Sequence, residues 1–391
     1  MNELMTPARR WASLAVLVGA VLLLAIDATV LYLAVPSLTA DLSPTASQVL
    51  WIGDIYSLAL AGLLVTMGNL ADRIGRKKLL LIGAAAFGLA SILAAFAPTA
   101  EVLIAARLLL GVAGATIMPS TLSLIRNIFT DPIERTRAIA IWSAAAASGI
   151  ALGPLVGGAL LENFWWGSVF LINLPVMALV IGLGAWLLPE SRNPNPGRFD
   201  LISSGLSMLA IIPFVYTIKQ VTGGKFDLLT AAAIIASVVG GILFVRRQRK
   251  TASPMIDVDL FRVPAFSGAV LVNFISVFAL SGVLFFFSQY LQLARGLSPL
   301  QAGLAQLPAA LSAMAAVAVV GFLLTRLGRG RAIGVALITG AVGLGLLAAL
   351  ESSEQLAWVL LAVVPLGLGI GVAETLSVDA VVSAVKPAKA G

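Results

Sequence analysis

Long apolar runs separated by short polar turns occupy almost the whole chain and restrict what it can fold into. Twelve such segments lie near 12–35, 48–69, 79–97, 101–125, 138–161, 168–188, 201–218, 228–245, 265–291, 299–323, 332–350 and 356–378. A helix needs about 20 apolar residues to cross the ~30 Å hydrocarbon core of a bilayer. Only 11% of the 391 residues are charged, against about 25% in a soluble domain. The sequence therefore predicts an all-α polytopic membrane protein with about 12 transmembrane helices, embedded in a lipid bilayer.

The basic residues predict on which side of the membrane each turn lies. If the turns alternate between the two sides, 21 of the 25 Lys and Arg residues fall on the side of the N-terminus, three fall on the other side, and Arg107 lies within a segment. Cytoplasmic loops of membrane proteins collect Lys and Arg. We therefore expect both termini in the cytoplasm. The predicted outer turns are short and carry no Asn-x-Ser/Thr acceptor for glycosylation, which suits a bacterial cytoplasmic (inner) membrane. The net charge of +7 then reflects topology, and we expect no nucleic-acid partner.

The residue types that the sequence lacks narrow its chemistry. The chain contains no cysteine and no histidine, which excludes disulfides, thiolate metal sites and histidine proton relays. The sequence also has no phosphate-binding glycine-lysine loop and no catalytic constellation. We therefore expect no enzymatic activity, no metal, no ATP-driven step and no cofactor. Any proton chemistry has to use carboxylates.

Four charged residues within the segments are the candidate site for proton and cation coupling. Asp27, Asp54 and Arg107 lie at similar depth, roughly 9–12 Å inside the outer surface at 1.5 Å per residue, and Glu374 lies near the inner end of segment 12. Such a charge costs ~2.5–3.5 kcal/mol on insertion scales, so it usually faces a cavity or a partner. Two acids and one base in the outer half leave an excess of negative charge, which attracts protons or cations. A purely structural Asp27–Arg107 salt bridge and an Asp54 that reaches the interface remain open.

The turn GNLADRIGRKK, residues 68–78, contains more than topology requires. Gly75 permits a sharp turn, and Asp72 can accept hydrogen bonds from arginine side chains or from the N-terminus of a neighbouring helix. The candidate motif comprises Gly68, Asp72, Arg73, Gly75 and Arg76. The alternative is a turn that is basic only because it is cytoplasmic.

A partial copy of this turn lies at 321–331, where Gly321, Gly328 and Arg329 match Gly68, Gly75 and Arg76 without gaps. Both copies are predicted on the cytoplasmic side, so the repeat is parallel. Segments 7 and 8 then form an inserted pair. We predict a six-helix bundle at 1–189, an inserted helix pair with its linkers at 190–263, and a partial bundle of four helices at 264–391. Two helices of the second bundle have no counterpart, so we expect a C-terminally truncated protein.

Segment 5 contains the sequence GIALGPLVGG at 149–158. Glycines at every fourth position share one face, which lets a neighbouring helix pack closely, and the proline removes a backbone hydrogen bond and favours a kink. The residues concerned are Gly149, Gly153, Pro154, Gly157 and Gly158. Ordinary close packing of helices is the alternative explanation.

Aromatic and amide side chains cluster at the predicted outer end of segment 9. They are Phe285, Phe286, Gln289 and Tyr290. Aromatic faces suit flat organic cations, so these residues are candidates for a substrate cavity. Aromatic residues that face lipid or the core are the alternative.

These motifs together resemble the fourteen-helix drug:proton antiporters of the major facilitator superfamily, the quaternary-ammonium and methyl viologen efflux pumps of bacteria. The similar stretches are GNLADRIGRKK, RLLLGVAGA at 107–115, GIALGPLVGG and LAIDATVLYLAVPSL at 24–38. Leu110 stands where the family usually has glutamine. The resemblance covers the whole chain and implies the major facilitator fold, with 12 of an expected 14 helices present.

The resemblance also implies a function. It implies export of amphipathic cationic drugs or dyes in exchange for protons by a monomer, with the proton gradient as energy source. The turn at 68–78 would latch the cytoplasmic gate, and the glycine motif of segment 5 would mark an antiporter. Three alternatives stay open: a major facilitator transporter of another small solute, such as a symporter or anion exporter; a membrane scaffold or enzyme; and an inactive truncated fragment.

Overall fold

The computed structural model describes residues 5–192, 200–224, 226–251, 254 and 257–384. All regular elements in these ranges are helices. The main helices, numbered along the chain, are α1 Pro7–Leu42, α2 Ala46–Ile74, α3 Arg76–Ala95, α4 Ala100–Ile128, α5 Pro132–Asn163, α6 Ser168–Leu187, α7 Leu201–Thr222, α8 Leu228–Lys250, α9 Pro264–Gln289, α10 Pro299–Leu327, α11 Arg329–Leu350 and α12 Leu356–Ala384. A 3₁₀ turn at Val258–Arg262 precedes α9, and one π-helical turn at Tyr290–Ala294 continues it.

Each apolar segment predicted from the sequence corresponds to one of these helices. Within the described ranges, eleven helices are long and apolar enough to cross a membrane. The bent helix α10 makes twelve if its two parts, Pro299–Ala316 and Ala318–Leu327, which meet at 50°, form one span. The predicted all-helical membrane architecture is therefore confirmed.

Local sequence explains where several helices begin. The Thr45 side chain accepts a hydrogen bond from the backbone N–H of Gln48, and the Gln48 side chain accepts one from the backbone N–H of Thr45. Ser298 and Gln301 form the same reciprocal capping box at the start of α10. Because each box satisfies N–H groups that have no partner within the helix, these helices start at defined residues.

By its contacts the chain divides into two compact units. The first comprises residues Met1–Gly153 and Asn163–Ile256. Within it, α2 and α3 pack along α4, and α6 packs on α1 and α3. Small residues allow the close approach: a Cβ atom on Gly111 of α4 would lie 2.8 Å from the Ala59 methyl of α2. This packing brings α1, α2, α4 and α6 together around the charged residues described below.

The helix pair α7–α8 belongs to this first unit and lies against α2. The Thr66 and Ser204 hydroxyls form a buried hydrogen bond, and a Cβ atom on Gly62 would lie 3.3 Å from the terminal methyl of Met208. Polar and small residues therefore join the pair to α2. The predicted division at 189 and 263 stays a prediction.

The second unit comprises residues Pro154–Glu162 and Asp257–Gly391. Its central helix α12 packs against α9, α10 and α11. A Cβ atom on Gly371 of α12 would lie 2.5 Å from the Ala313 carbonyl of α10. Buried apolar residues near one end of α12, among them Val359 and Val363, pack with Phe287 and Leu291.

The two copies of the internal repeat adopt the same local structure. Gly75 has φ +115° and separates α2 from α3, and Gly328 has φ +74° and separates α10 from α11. Side chains rarely tolerate positive φ, so each turn favours glycine. The two copies therefore share their local backbone structure, and the parallel arrangement of the two halves stays a prediction.

Candidate functional site

The centre of the site is an ion pair between Asp27 of α1 and Arg107 of α4. The Arg107 guanidinium donates through Nη1 to Asp27 Oδ2 at 3.0 Å, and the Arg107 and Asp27 side chains are 1% and 0% exposed, respectively. Two ions lose a large hydration energy inside an apolar bundle, and they recover it only with good geometry and further hydrogen bonds. The pair therefore depends on the groups around it.

The second oxygen of Asp27 is bound from α6. Asn173, fully buried at the break in α6 after Ile172, donates through Nδ2 to Asp27 Oδ1 at 2.8 Å and to the Ser91 hydroxyl of α3 at 3.0 Å. Ser91 in turn donates to the Phe87 carbonyl at 2.8 Å. Both oxygens of the carboxylate thus accept hydrogen bonds from helices distant in sequence.

Arg107 is held on further sides. Its Nε donates to the Ile52 carbonyl of α2 at 3.2 Å. The guanidinium carbon lies 4.4 Å from the centre of the Tyr56 ring and 6.0 Å from that of Phe170. Such cation–π contacts strengthen when water is excluded. The Tyr56 hydroxyl is buried and has no hydrogen-bond partner within the described part of the chain.

The arrangement combines a carboxylate that can accept a proton or attract a cation with a base that stays charged. Asp27 and Arg107 cancel each other's charge while Asp27 is ionised. Protonation of Asp27 would leave one positive charge in the bundle, since arginine keeps its proton in proteins. A single proton therefore changes the charge of the site.

Asp54 does not join this cluster. It lies on α2, its side chain is 55% exposed, and its carboxylate pairs with the Lys219 ammonium of α7 at 2.9 Å. That ammonium also lies 4.2 Å from the centre of the Trp51 ring. Lys219, counted above as a loop base, is part of a helix and neutralises Asp54. The expected excess of negative charge in the outer half is therefore corrected: each of the two acids has a base.

Glu374 of α12 lies in the second unit and is half-buried. Its backbone carbonyl accepts a hydrogen bond from Ser377. No base among the described residues lies within ion-pair distance of its carboxylate. Glu374 therefore remains a candidate separate from the Asp27 cluster.

The turn at Gly75 forms a defined network. Asp72, in the last turn of α2, pairs with Arg76 at the start of α3 at 2.9 Å. The Arg76 backbone N–H donates to the Ser191 carbonyl at 2.9 Å, and its guanidinium donates to the Ser191 hydroxyl at 3.1 Å. A Cβ atom on Gly75 would lie 2.6 Å from Glu190 Oε1. The turn is thus fastened to the chain that follows α6.

The other two residues of the turn motif, Gly68 and Arg73, lie in different surroundings. A Cβ atom on Gly68 would make ordinary contact, at 3.5 Å, with Pro119 of α4. Arg73 is exposed and lies in the last turn of α2. The Asp72–Arg76 pair is the expected carboxylate–arginine contact, and gating by this turn stays a prediction.

The glycines of α5 pack against different helices. A Cβ atom on Gly149 would lie 2.6 Å from the Ala25 methyl of α1, and one on Gly153 would overlap Thr29 of α1. Further along, a Cβ atom on Gly158 would lie 2.6 Å from the Pro299 carbonyl of α10. Pro154 lies within the helix, and both it and Gly157 are buried. Close packing is observed, and a role in antiport stays a prediction.

Comparison with known proteins identifies the family. The family model described as Major Facilitator Superfamily matches residues 17–391. The chain belongs to this superfamily. It is 49% identical over 390 residues to the multidrug efflux pump LfrA of Mycolicibacterium smegmatis, an alignment that covers 99% of this chain and 77% of LfrA.

A second relative in the superfamily is the methyl viologen resistance protein SmvA of Salmonella typhimurium, 40% identical over 327 residues, covering 82% of this chain and 65% of SmvA. The fold is similar to that of a bacterial homologue of the human lysosomal transporter Spinster, with a TM-score of 0.68 at 19% identity, covering 99% of this chain and 78% of that one. The family predicted from the sequence motifs, the drug:proton antiporters of the major facilitator superfamily, is therefore confirmed.

Within this major facilitator chain the aromatic candidates do not share one environment. Phe285 and Phe286 are in edge contact, with centroids 5.1 Å apart, but Phe286 is 68% exposed. The Tyr290 hydroxyl donates to the Glu351 carbonyl, and Gln289 donates to the Phe285 carbonyl at 3.4 Å. A substrate cavity formed by this set stays a prediction.

Sequence reasoning missed Asn173, Ser91, Tyr56 and Lys219. A signal existed for Asn173, because a buried amide inside an apolar segment usually has a polar partner. Lys219 lies next to the end of segment 7 and could have been placed in the helix. No periodicity, however, indicates which distant carboxylate either residue contacts.

Proposed function

We propose that this chain exports lipophilic or quaternary-ammonium cations across the bacterial inner membrane in exchange for protons. The names of LfrA and SmvA support multidrug and methyl viologen substrates of this class. The single observation that carries the coupling is the completely buried Asp27, bound by Arg107 and Asn173. An ionisable group that is costly to bury in apolar helices is usually functional.

The physical basis is competition for one carboxylate. Ionised Asp27 makes the cluster neutral and tolerant of an incoming cation. Protonated Asp27 leaves Arg107 uncompensated, and its positive charge repels a cation. Proton entry from the acidic outer side would therefore favour release of the drug, so that the proton gradient supplies the energy without a cofactor.

A second candidate function within the superfamily is transport of another small solute, including symport or anion export. An anion exporter requires uncompensated bases in its pathway. Both bases seated within the outer halves of the helices, Arg107 and Lys219, are paired with acids. This pairing favours cation export.

The orientation is proposed with the N-terminus in the cytoplasm, from the asymmetry of the loop bases. Asp27 and its partners come from helices of one chain, so a monomer suffices for the coupling step. Reporter fusions at Ser191 and near the C-terminus are expected to read cytoplasmic. A periplasmic signal at Ser191 would contradict the orientation.

The coupling test compares Asp27→Asn with wild type in proteoliposomes. Asparagine keeps the size and polarity of the side chain but cannot ionise. We expect loss of pH-gradient-driven efflux of a fluorescent lipophilic cation, and loss of substrate-induced proton release in detergent. The matched control is Asp54→Asn, an exposed acid outside the cluster, which should retain both activities.

Protein amount and thermal unfolding are matched before rates are compared. Unchanged gradient-driven efflux in Asp27→Asn would assign Asp27 a structural role and move the coupling to Glu374. A gradient-driven uptake of anions by the wild type, without cation export, would support the second candidate.

A further inference from the structure

The hydrogen-bond donors and acceptors around Asn173 determine the orientation of its side-chain amide. Ser91 has one hydroxyl hydrogen, and it points to the Phe87 carbonyl. The Ser91 oxygen therefore accepts from Asn173, which fixes the Asn173 amide with its NH₂ group towards both Ser91 and Asp27. The described network is thus that of ionised Asp27, because both carboxylate oxygens face donors.

Protonation of Asp27 conflicts with this network. A proton on Oδ2 would face the Arg107 guanidinium, which has no acceptor. A proton on Oδ1 would face the Asn173 NH₂ group. The Asn173 Oδ1 atom, however, is buried and has no hydrogen-bond partner within the described ranges, so reversal of the amide would break no hydrogen bond of that oxygen.

We propose that Asn173 is a positioning residue whose side-chain amide reverses when Asp27 takes up a proton. This inference rests on the proposed function, in which Asp27 is the coupling carboxylate. One proton from water binds Asp27 Oδ1, and the new O–H donates to Asn173 Oδ1. The Ser91 hydroxyl rotates from the Phe87 carbonyl to the same oxygen, and Arg107 keeps its bond to Asp27 Oδ2.

The same heavy-atom positions then serve both protonation states. On protonation the Ser91–Phe87 hydrogen bond is lost, and the reversed NH₂ group takes the buried position of an oxygen that has no partner within the described ranges. The titratable groups facing the cluster are Arg107 from α4 and Tyr56 from α2, while α3 and α6 contribute Ser91 and Asn173, which do not titrate. Asn173 is therefore the group that can adapt to the proton, and it sets the pH at which the site loads.

The test measures substrate-induced proton release against pH for wild type and Asn173→Leu. Leucine has similar volume but no polar atoms, so ionised Asp27 loses a donor. We expect the pH of half-maximal release to rise by about one unit or more, as for removal of a hydrogen bond to a charged group.

A control on the same helix separates positioning from packing. Met177 is buried in α6, and Met177→Leu should alter packing without moving the pH midpoint. If Asn173→Leu fails to fold, Ser91→Ala serves instead: it removes two hydrogen bonds from the ionised network but one from the protonated network, and should raise the midpoint by a smaller amount. The infrared band of the protonated carboxyl group should shift to higher frequency in Asn173→Leu.

The outcomes distinguish the two proposals. If Asp27→Asn retains proton release, the coupling role that the proposed function gives to Asp27 fails, whatever Asn173 does. If Asp27→Asn abolishes release while folded Asn173→Leu and Ser91→Ala both keep the wild-type midpoint, only the role of Asn173 is overturned. A raised midpoint that is absent from Met177→Leu supports the inference.

Discussion

A single methyl group at Gly149 tests whether the contact between α1 and α5 holds the charged site in place. In Gly149→Ala the new methyl would lie 2.6 Å from the Ala25 methyl and 2.7 Å from the Leu22 carbonyl oxygen. Carbon atoms pack at about 3.5–4.0 Å, so the helices must separate by roughly 1 Å. Overpacking of this kind costs about 1–3 kcal/mol.

The displacement acts close to Asp27, which lies two residues after Ala25. A shift of roughly 1 Å would stretch the 3.0 Å bond from Arg107 to Asp27 beyond the usual range of hydrogen bonds. A hydrogen bond to a charged group contributes about 1.5–3 kcal/mol, which corresponds to about a 10- to 100-fold effect. We therefore expect pH-driven efflux in proteoliposomes to fall at least about tenfold.

Two comparisons make the result specific. Gly19→Ala places a methyl on the same helix α1, where nothing lies within 4 Å, and should change neither efflux nor the thermal midpoint in detergent. Ala25→Gly combined with Gly149→Ala removes the methyl–methyl contact and should restore part of both, leaving the clash with the Leu22 carbonyl. Wild-type efflux and stability in Gly149→Ala, or no recovery in the double variant, would refute the reasoning.

Two further perturbations address the polar turns. Asp72→Asn should change the free energy of unfolding by no more than ~1 kcal/mol, since the ion pair of Asp72 with Arg76 is partly exposed. It should nevertheless slow efflux, because Arg76 loses the carboxylate that orients it. Lys78→Gln is the control for loop charge, and equal efflux rates of the two variants would mean that only the charge of the loop matters. Burial acts to raise the pKa of Asp200, but hydrogen bonds, foremost from Arg247, hold the pKa of this carboxyl below its usual range. The stabilisation that ionised Asp200 contributes is present above pH ~3.9, the pKa of an unfolded aspartate, and is lost as pH falls through the folded pKa. Asp200→Asn keeps the helix cap but cannot ionise, so it should lower the thermal midpoint at neutral pH. In acid the midpoints of the variant and the wild type should converge.

The parts of the fold that hydropathy dictates were predictable. A helix is the only open-chain element that satisfies its own backbone in lipid, so each apolar run had one possible structure. The turn glycines were predictable for a related reason, since Gly75 and Gly328 occupy backbone conformations that few other residues tolerate. In both cases a local property of the sequence determines the result.

The partners of the charged residues were not predictable in the same way. Asp54 looked like a member of the Asp27 cluster because both were placed at similar depth. Depth along a helix does not determine the direction of a side chain, and Asp54 turns instead towards Lys219 of α7. The contact of Asn173 with Asp27 joins residues 146 positions apart and depends on how α6 packs against α1 and α3.

The geometry also explains why the base at the centre has to be arginine. Arg107 uses Nη1 for Asp27, Nε for the Ile52 carbonyl and a face of its guanidinium for Tyr56. A lysine ammonium is a point charge without a flat face or a fixed fork of donors, so it could not hold all three contacts at once. Because the Ile52 and Tyr56 contacts do not depend on the charge of Asp27, Arg107 stays in place when Asp27 takes a proton. In the proposed mechanism, the positive charge that expels a cation is therefore held beside the carboxylate, and it becomes uncompensated only when the proton arrives.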